Sequence, residues 1–161
     1  MALIHICNFL EIRRWNSDTD TWYTEYLFQN GNLEQPVSHN GKSWSYLSFI
    51  YQGAVKNRTG DNLEAGLIMS SNPISMAHAQ KVVEDKLQVI VQTCLMDPTF
   101  NAVQKIINTE QWVGTSMSYD MEALEITLAS RIDAVGVSIP NQFLKRSSVG
   151  ALPTTANIQS R

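Results

Sequence analysis

Turn-forming residues recur along this chain at intervals of roughly 8–12 residues, and the runs between them are short, apolar and rich in β-branched and aromatic side chains. That spacing leaves little room for helices of ordinary length. It predicts seven or eight strands with one short helix, a mainly β chain folded as a β-sandwich or partly closed barrel.

Several runs are individually clear. Leu3–Ile12 and Trp22–Phe28 are β-prone, and Asn16-Ser17-Asp18-Thr19-Asp20-Thr21 between them is a cluster of turn formers. This reads as a long hairpin with an exposed tip. Asn30-Gly31 and Asn40-Gly41 are strong two-residue turn signals. From Trp44 to Tyr51 both alternating sets of side chains are bulky, which predicts one central strand covered on both faces. Gly53 to Asn62 is polar and Gly-bounded, a loop, and Ala65–Ser70 is a short strand closed by Ser71-Asn72-Pro73. Ile74–Glu84 is the helix, with Ser75 as its cap and Met76, Ala79, Val82 and Val83 as its apolar positions.

The second half continues in the same way. Leu87–Met96 is a strand with Leu87, Val89, Val91 and Leu95 on one face. Phe100–Asn108 and Gln111–Tyr119 form a pair or one long bent strand, with Gly114 at a bulge. Glu122–Ile132 alternates cleanly, with Leu124, Ile126, Leu128 and Ile132 inward. Gly136 and Pro140 then interrupt the pattern, and a small-residue stretch follows from Ser147. The organisation expected is one β-rich domain over residues 1–146 and an extended C-terminal arm over 147–161.

Composition narrows the function classes. Of 161 residues 43% are hydrophobic, enough for one core, while 17% are charged, well below the usual share of about 25%. Ser, Thr, Asn and Gln make up the difference, which suits contacts made by neutral hydrogen bonds. The net charge of −3 excludes an overall basic footprint for nucleic acid, and Arg13-Arg14 and Lys145-Arg146 are only pairs of adjacent cations. No run of apolar residues reaches membrane-spanning length, and the first residues lack the basic-then-apolar pattern of a signal peptide. Asn57-Arg58-Thr59 therefore reads as a chance glycosylation match.

Catalytic and metal-binding patterns are not found. His5, His39 and His78 share no motif. Cys7 and Cys94 lie in apolar runs without CxxC spacing and read as small buried hydrophobes, with pairing left open. Asp18-x-Asp20 lacks the Gly and closing Glu of a calcium loop, and Gly53-x₆-Gly60 is followed by Asp61 instead of the Lys of a phosphate loop. No enzyme and no cofactor are expected. The four tryptophans carry more information: Trp15 and Trp22 flank one hairpin tip, where they either pack across the strands or anchor a partner.

The ordered set Tyr26-Leu27-Phe28…Asn30-Gly31, Pro36-Val37, Asn40-Gly41-x-x-Trp44-x-Tyr46, Ser70…Asn72 and Leu87-x-Val89-x-Val91 leads to the block Leu128-Ala129-Ser130…Asp133-Ala134…Gly136…Pro140. Together these resemble the phage minor tail protein L family, over residues 3–145. The resemblance implies a structural component of a phage tail tip or baseplate, assembled in the host cytoplasm and located in the virion. Such a component links the tail tube to the central hub through ring-forming contacts. The implied partners are further copies of itself (a trimer by analogy with the hub, a hexamer as the other arrangement) and the hub, distal tail or tube proteins. Longer family members carry a cysteine-rich C-terminal segment that this chain does not match, so no metal or iron–sulfur cluster is carried over. Specific nucleic-acid binding and membrane insertion are not expected.

The residues expected to make interfaces are Trp15, Asp18, Asp20 and Trp22 at the hairpin tip and Leu152, Pro153 and Ile158 in the arm. A second reading is a carbohydrate- or receptor-binding β-sandwich module using Trp15, Trp22 and Trp44 as platforms. Removal of residues 147–161 is expected to weaken ring formation while leaving the domain folded; size-exclusion chromatography with circular dichroism checks this, and undiminished rings would count against the arm.

Overall fold

The strand β1, Ile6–Asn16, is apolar on both faces, and this decides where the rest of the chain packs. Cys7 and Phe9 point to one side, Leu10 and Ile12 to the other, and all four are at most 3% exposed. The computed structural model describes residues 4–55 and 64–130. Within them nine strands form one sheet with a single α-helix, and the sheet is not closed into a barrel. The chain is thus mainly β, sandwich-like in having a core on each face. The ninth strand comes from the segment 37–46, which folds as two short strands.

The strands that follow β1 are β2 (Thr21–Gln29), β3 (Val37–His39), β4 (Lys42–Tyr46), β5 (Phe49–Val55), β6 (Glu64–Ser70), β7 (Gln88–Met96), β8 (Val103–Tyr119) and β9 (Ala123–Ala129); helix α1 spans Pro73–Glu84. Their spatial order is β3-β4-β2-β1-β7-β8-β9-β6-β5. All pairings are antiparallel except a short parallel contact between β2 and β4.

The first core lies under α1. It joins Leu10 and Ile12 to Leu67, Val89, Trp112 and the inward side chains of β9, with Ala79 and Val82 of the helix above them. The second lies on the opposite face, where Trp44 and Val37 of the β3–β4 hairpin cover Cys7, Phe9, Cys94 and Met96. Trp44 meets Phe9 edge-on, with ring centroids 5.1 Å apart, and its indole nitrogen donates to the His39 carbonyl at 3.1 Å. The β3–β4 turn is the one Asn40-Gly41 predicts: both residues have positive φ, 52° and 70°, as a two-residue hairpin of this type requires.

Four expectations need correction. Trp44–Tyr51 is not one central strand. It breaks after Tyr46, and β4 and β5 lie toward opposite ends of the sheet, with β5 at an edge. The crossing is possible because the sheet curls: the Leu47 amide donates to the Gln29 carbonyl at 2.9 Å. The Asn30 side chain then links β1 to the edge strand β5, accepting from the Asn8 amide at 2.8 Å and donating to the Phe49 carbonyl at 3.1 Å. Second, Asn30-Gly31 is therefore a loop and not a tight hairpin, its side chain serving as a tertiary staple. Third, the helix cap is Asn72: its Oδ1 accepts from Ile74 and Ser75 amides at 3.0 and 2.9 Å, and Pro73 occupies the first turn. Ser75 is instead fully buried. Fourth, Leu95 does not continue the buried row of Leu87, Val89 and Val91. Beyond Thr93 the covered face of β7 changes, and Cys94 and Met96 enter the second core.

The expected loop begins later than Gly53, because Gly53, Ala54 and Val55 continue β5; its remaining residues 56–62, together with Ile132, Asp133–Pro140 and the arm 147–161, lie outside the described residues.

Other features agree with the pattern. Leu124, Ile126 and Leu128 are essentially fully buried. Residues 103–119 form a single long strand, and the register slips beside Gly114, where Thr115 is the additional residue and its hydroxyl donates to the Thr127 carbonyl at 3.0 Å. The bulge lets α1 approach closely. A Cβ on Gly114 would lie 2.6 Å from Val82 Cγ1 and 3.1 Å from the Val82 carbonyl oxygen. Gly114→Ala is accordingly expected to cost about 2–3 kcal/mol by pushing the helix off the sheet, read as a lower urea midpoint; an unchanged midpoint would show that the contact is not tight.

Candidate interface at the hairpin tip

β1 pairs with β7 only as far as Arg13, opposite Gln88. Its last residues, Arg14 to Asn16, pair with β2 alone, so the end of the β1–β2 hairpin overhangs the sheet. Trp15 and Trp22 are directly opposite one another there, with ring centroids 5.1 Å apart at 62°. Both remain substantially exposed, at 43% and 37%, and Tyr23 beside them is 43% exposed. The packing reading and the anchor reading of these tryptophans are therefore compatible, because each ring stabilises the other and still presents surface.

The turn itself follows from its polar residues. Asn16 Oδ1 accepts from the Asp18 amide at 2.9 Å, the Thr19 and Thr21 hydroxyls are 2.8 Å apart, and Asp20 adopts φ 55°. Asp18 and Asp20 are exposed at the apex, as expected of interface candidates. Among the described residues no group of three His, Cys, Asp or Glu side chains is placed to hold a metal. Leu152, Pro153 and Ile158 lie outside the described residues.

Two ionic clusters fix the base of the hairpin, one on each face. The first centres on Glu11, only 4% exposed. It receives Lys42 Nζ at 2.6 Å, the Thr24 hydroxyl at 2.5 Å and Arg13 Nε at 2.9 Å. Burial alone would raise the Glu11 pKa, but the hydrogen bonds from Arg13, Lys42 and Thr24 outweigh it and hold the carboxyl at about 2. Lys42 belongs to β4, so this cluster ties the β3–β4 hairpin to the sheet. The second centres on Glu25, the additional residue at a register slip between β1 and β2. It meets Arg14 Nε at 2.6 Å and Lys81 Nζ at 3.0 Å, while Arg14 also reaches Asp85 at the end of α1. This cluster ties the hairpin to the helix. Sequence patterning missed both, since Glu11 sits in an otherwise apolar run and Glu25 among aromatics; a lone carboxylate in such a run is itself a signal of a buried partner.

The remaining candidates are dispersed. His5 contacts Phe100, His39 contacts Phe9, and His78 packs on Tyr26 and Phe28, so the three imidazoles belong to three places. Trp44 is 2% exposed and offers no platform to a sugar, which corrects its expected place among the binding tryptophans. The space beneath α1, lined by Leu10, Phe28, Leu47, Leu67 and His78, is about 10 Å³, room for no more than about one water.

The sequence matches no model of a known protein family and no curated protein.

The Glu11 cluster sets an acid limit on stability. The folded carboxyl titrates near 2 against 4.5 for the ordinary group, so its stabilisation is present above pH 4.5 and is lost as pH falls toward 2. A loss of about 2–3 kcal/mol is expected over that window. Glu11→Gln is expected to flatten this part of the stability–pH curve measured by denaturant titration; an equally steep curve would remove Glu11 as its cause.

Proposed function

We propose that this chain is a structural component of a phage tail tip or baseplate, linking tail tube to central hub through ring-forming protein–protein contacts. The observation that supports it most is the overhanging hairpin, whose exposed Trp15–Trp22 pair and Tyr23 stand on a base clamped to both faces of the sheet. Large aromatics held in a fixed geometry give contact area at little entropic cost, and they dominate protein interfaces. The low charge of the chain agrees with contacts made by shape and neutral hydrogen bonds. The ordered sequence blocks that resemble the minor tail protein L family supply the identity of the assembly. Copies of the chain and the adjoining hub, distal tail or tube proteins are the partners, and the virion is the location. The arm 147–161 is the second contact in this scheme.

A carbohydrate platform is less well supported. It loses Trp44 to the core, and the two remaining tryptophans meet edge to face instead of offering a shared flat surface.

The test replaces the pair. A Trp15→Ser/Trp22→Ser variant, supplied in place of the wild-type chain, is expected to fold with a melting temperature only slightly lowered and to yield at least tenfold fewer complete tails by electron microscopy. Normal tail yield with the folded variant would contradict the proposal. Saturable quenching of wild-type tryptophan fluorescence by a glycan would favour the platform reading.

A further inference from the structure

Cys7 and Cys94 lie 87 positions apart in the sequence, yet the β1–β7 register sets them directly opposite each other. Both point into the second core, at 1% and 0% exposure, and both are free thiols. The Met96 amide donates to the His5 carbonyl at 2.8 Å. That places His5–Met96, and two steps along Cys7–Cys94, in the hydrogen-bonded class of antiparallel pairs, with Cα atoms about 5.5 Å apart. A disulfide spans Cα separations of about 4.4–6.8 Å, so the Cα spacing fits; its Cβ atoms stand about 3.5–4.5 Å apart, whereas those of a hydrogen-bonded pair stand at about 5.5 Å, so closure draws β1 and β7 together locally by about 1 Å.

We propose that Cys7 and Cys94 form an oxidation site, which a low-molecular-weight disulfide such as oxidised glutathione converts to an intramolecular disulfide joining β1 to β7. The inference is independent of the tail-tip reading.

Part of the cover over the site is one short segment. Gly31 lies on Cys7: a Cβ there would sit 2.8 Å from the Cys7 sulfur and 2.9 Å from the Phe100 ring. The Gly31–Asn32 segment is held by Gln29, whose Oε1 accepts both their amides at 2.7 Å. Trp44 and Val37 of the β3–β4 hairpin lie over the same core, so access to Cys7 requires this segment and the hairpin to lift together, a motion that leaves the β1–β7 ladder paired. Burial raises the Cys7 thiol pKa, with the backbone at Asn30 and Gly31 acting in the opposite sense, whereas burial and the neighbouring Cys7 push Cys94 up to about 11. Cys7, directly beneath Gly31, is the thiol that the moving segment exposes and the one that reacts first.

The Cys7 thiolate attacks one sulfur of glutathione disulfide and displaces one glutathione thiolate. The Cys94 thiolate then attacks the Cys7 sulfur of the mixed disulfide and displaces the second. Two protein thiols are oxidised by two electrons, one glutathione disulfide is reduced to two thiols, and the two thiol protons end on glutathione or solvent. Because the thiols are buried, the rate follows the opening of the cover.

The experiment incubates the reduced full-length chain with oxidised glutathione under native, mildly alkaline conditions and measures intact mass after acid quenching. The expected product is a monomer lighter by two hydrogens that resists alkylation after denaturation. Its melting temperature is expected to rise by roughly 5 °C or more, reversibly with dithiothreitol. The Cys94→Ser variant is expected to stop at one glutathione adduct on Cys7. Two thiols still alkylatable in the wild-type chain, a wild-type chain that ends as a stable glutathione adduct, or a disulfide-linked dimer would each overturn the proposal, whether or not the variant folds.

Discussion

The burial of β1 on both faces is the constraint on which the rest of the fold depends. A sheet with one apolar face needs one cover. Here Leu10 and Ile12 require a cover on one side and Phe9 and Cys7 require another. Burying each large apolar side chain is worth roughly 1.5–3 kcal/mol, so exposing Leu10 and Ile12 alone removes about 3–6 kcal/mol, a large share of a domain's net stability of about 5–15 kcal/mol. Helix α1 answers the first requirement and the β3–β4 hairpin the second. The two ionic clusters follow the same division, with Glu25 holding the helix and Glu11 the hairpin. Each carboxylate is buried among cations, so removing one partner is more costly than the pair is stabilising.

This double clamp also explains the position of the candidate interface. The hairpin base is fixed from both sides, and the register with β7 runs out at Arg13. Beyond that point the two strands have only each other, and Trp15 against Trp22 keeps them in register. A rigid base with an overhanging aromatic tip is a suitable arm for reaching a neighbour. The sheet's other distinctive joint, the Asn30 side chain between Asn8 and Phe49, ties the edge strand β5 to β1 without a continuous ladder.

Much of this was legible in the sequence where a local period exists. The β9 alternation, the β1–β2 hairpin and the helix were predicted because each pattern is set by its own residues, and Gly114 because an isolated glycine within a strand pattern signals a bulge or a close approach. The failures have a common cause. Trp44 to Tyr51 carries bulky side chains on both faces and reads as one run, but the run continues across a crossing from one end of the sheet to the other, and only tertiary curl decides that. Along β7 the covered face changes between Val91 and Cys94; the phase shift is present in the letters, yet it gains meaning only once two different covers are known. The hairpin tip was singled out correctly as a pair of facing tryptophans, whereas Trp44 resembled them in sequence and is buried, because its hairpin folds onto Phe9 of β1 and residues of β7 that lie far away in sequence.

Cross-linking mass spectrometry on purified particles released from cells that carry the gene reads out the proposed role, a chain built into a phage tail tip that makes its contacts through the hairpin. The chain is expected to be present in the particles, with residues 15–23 cross-linked to a tail-tube or hub protein or to another copy of the chain. Particles that contain the chain with cross-links only elsewhere would contradict the role given to the hairpin, and complete, infectious particles without the chain would contradict the tail-tip role itself.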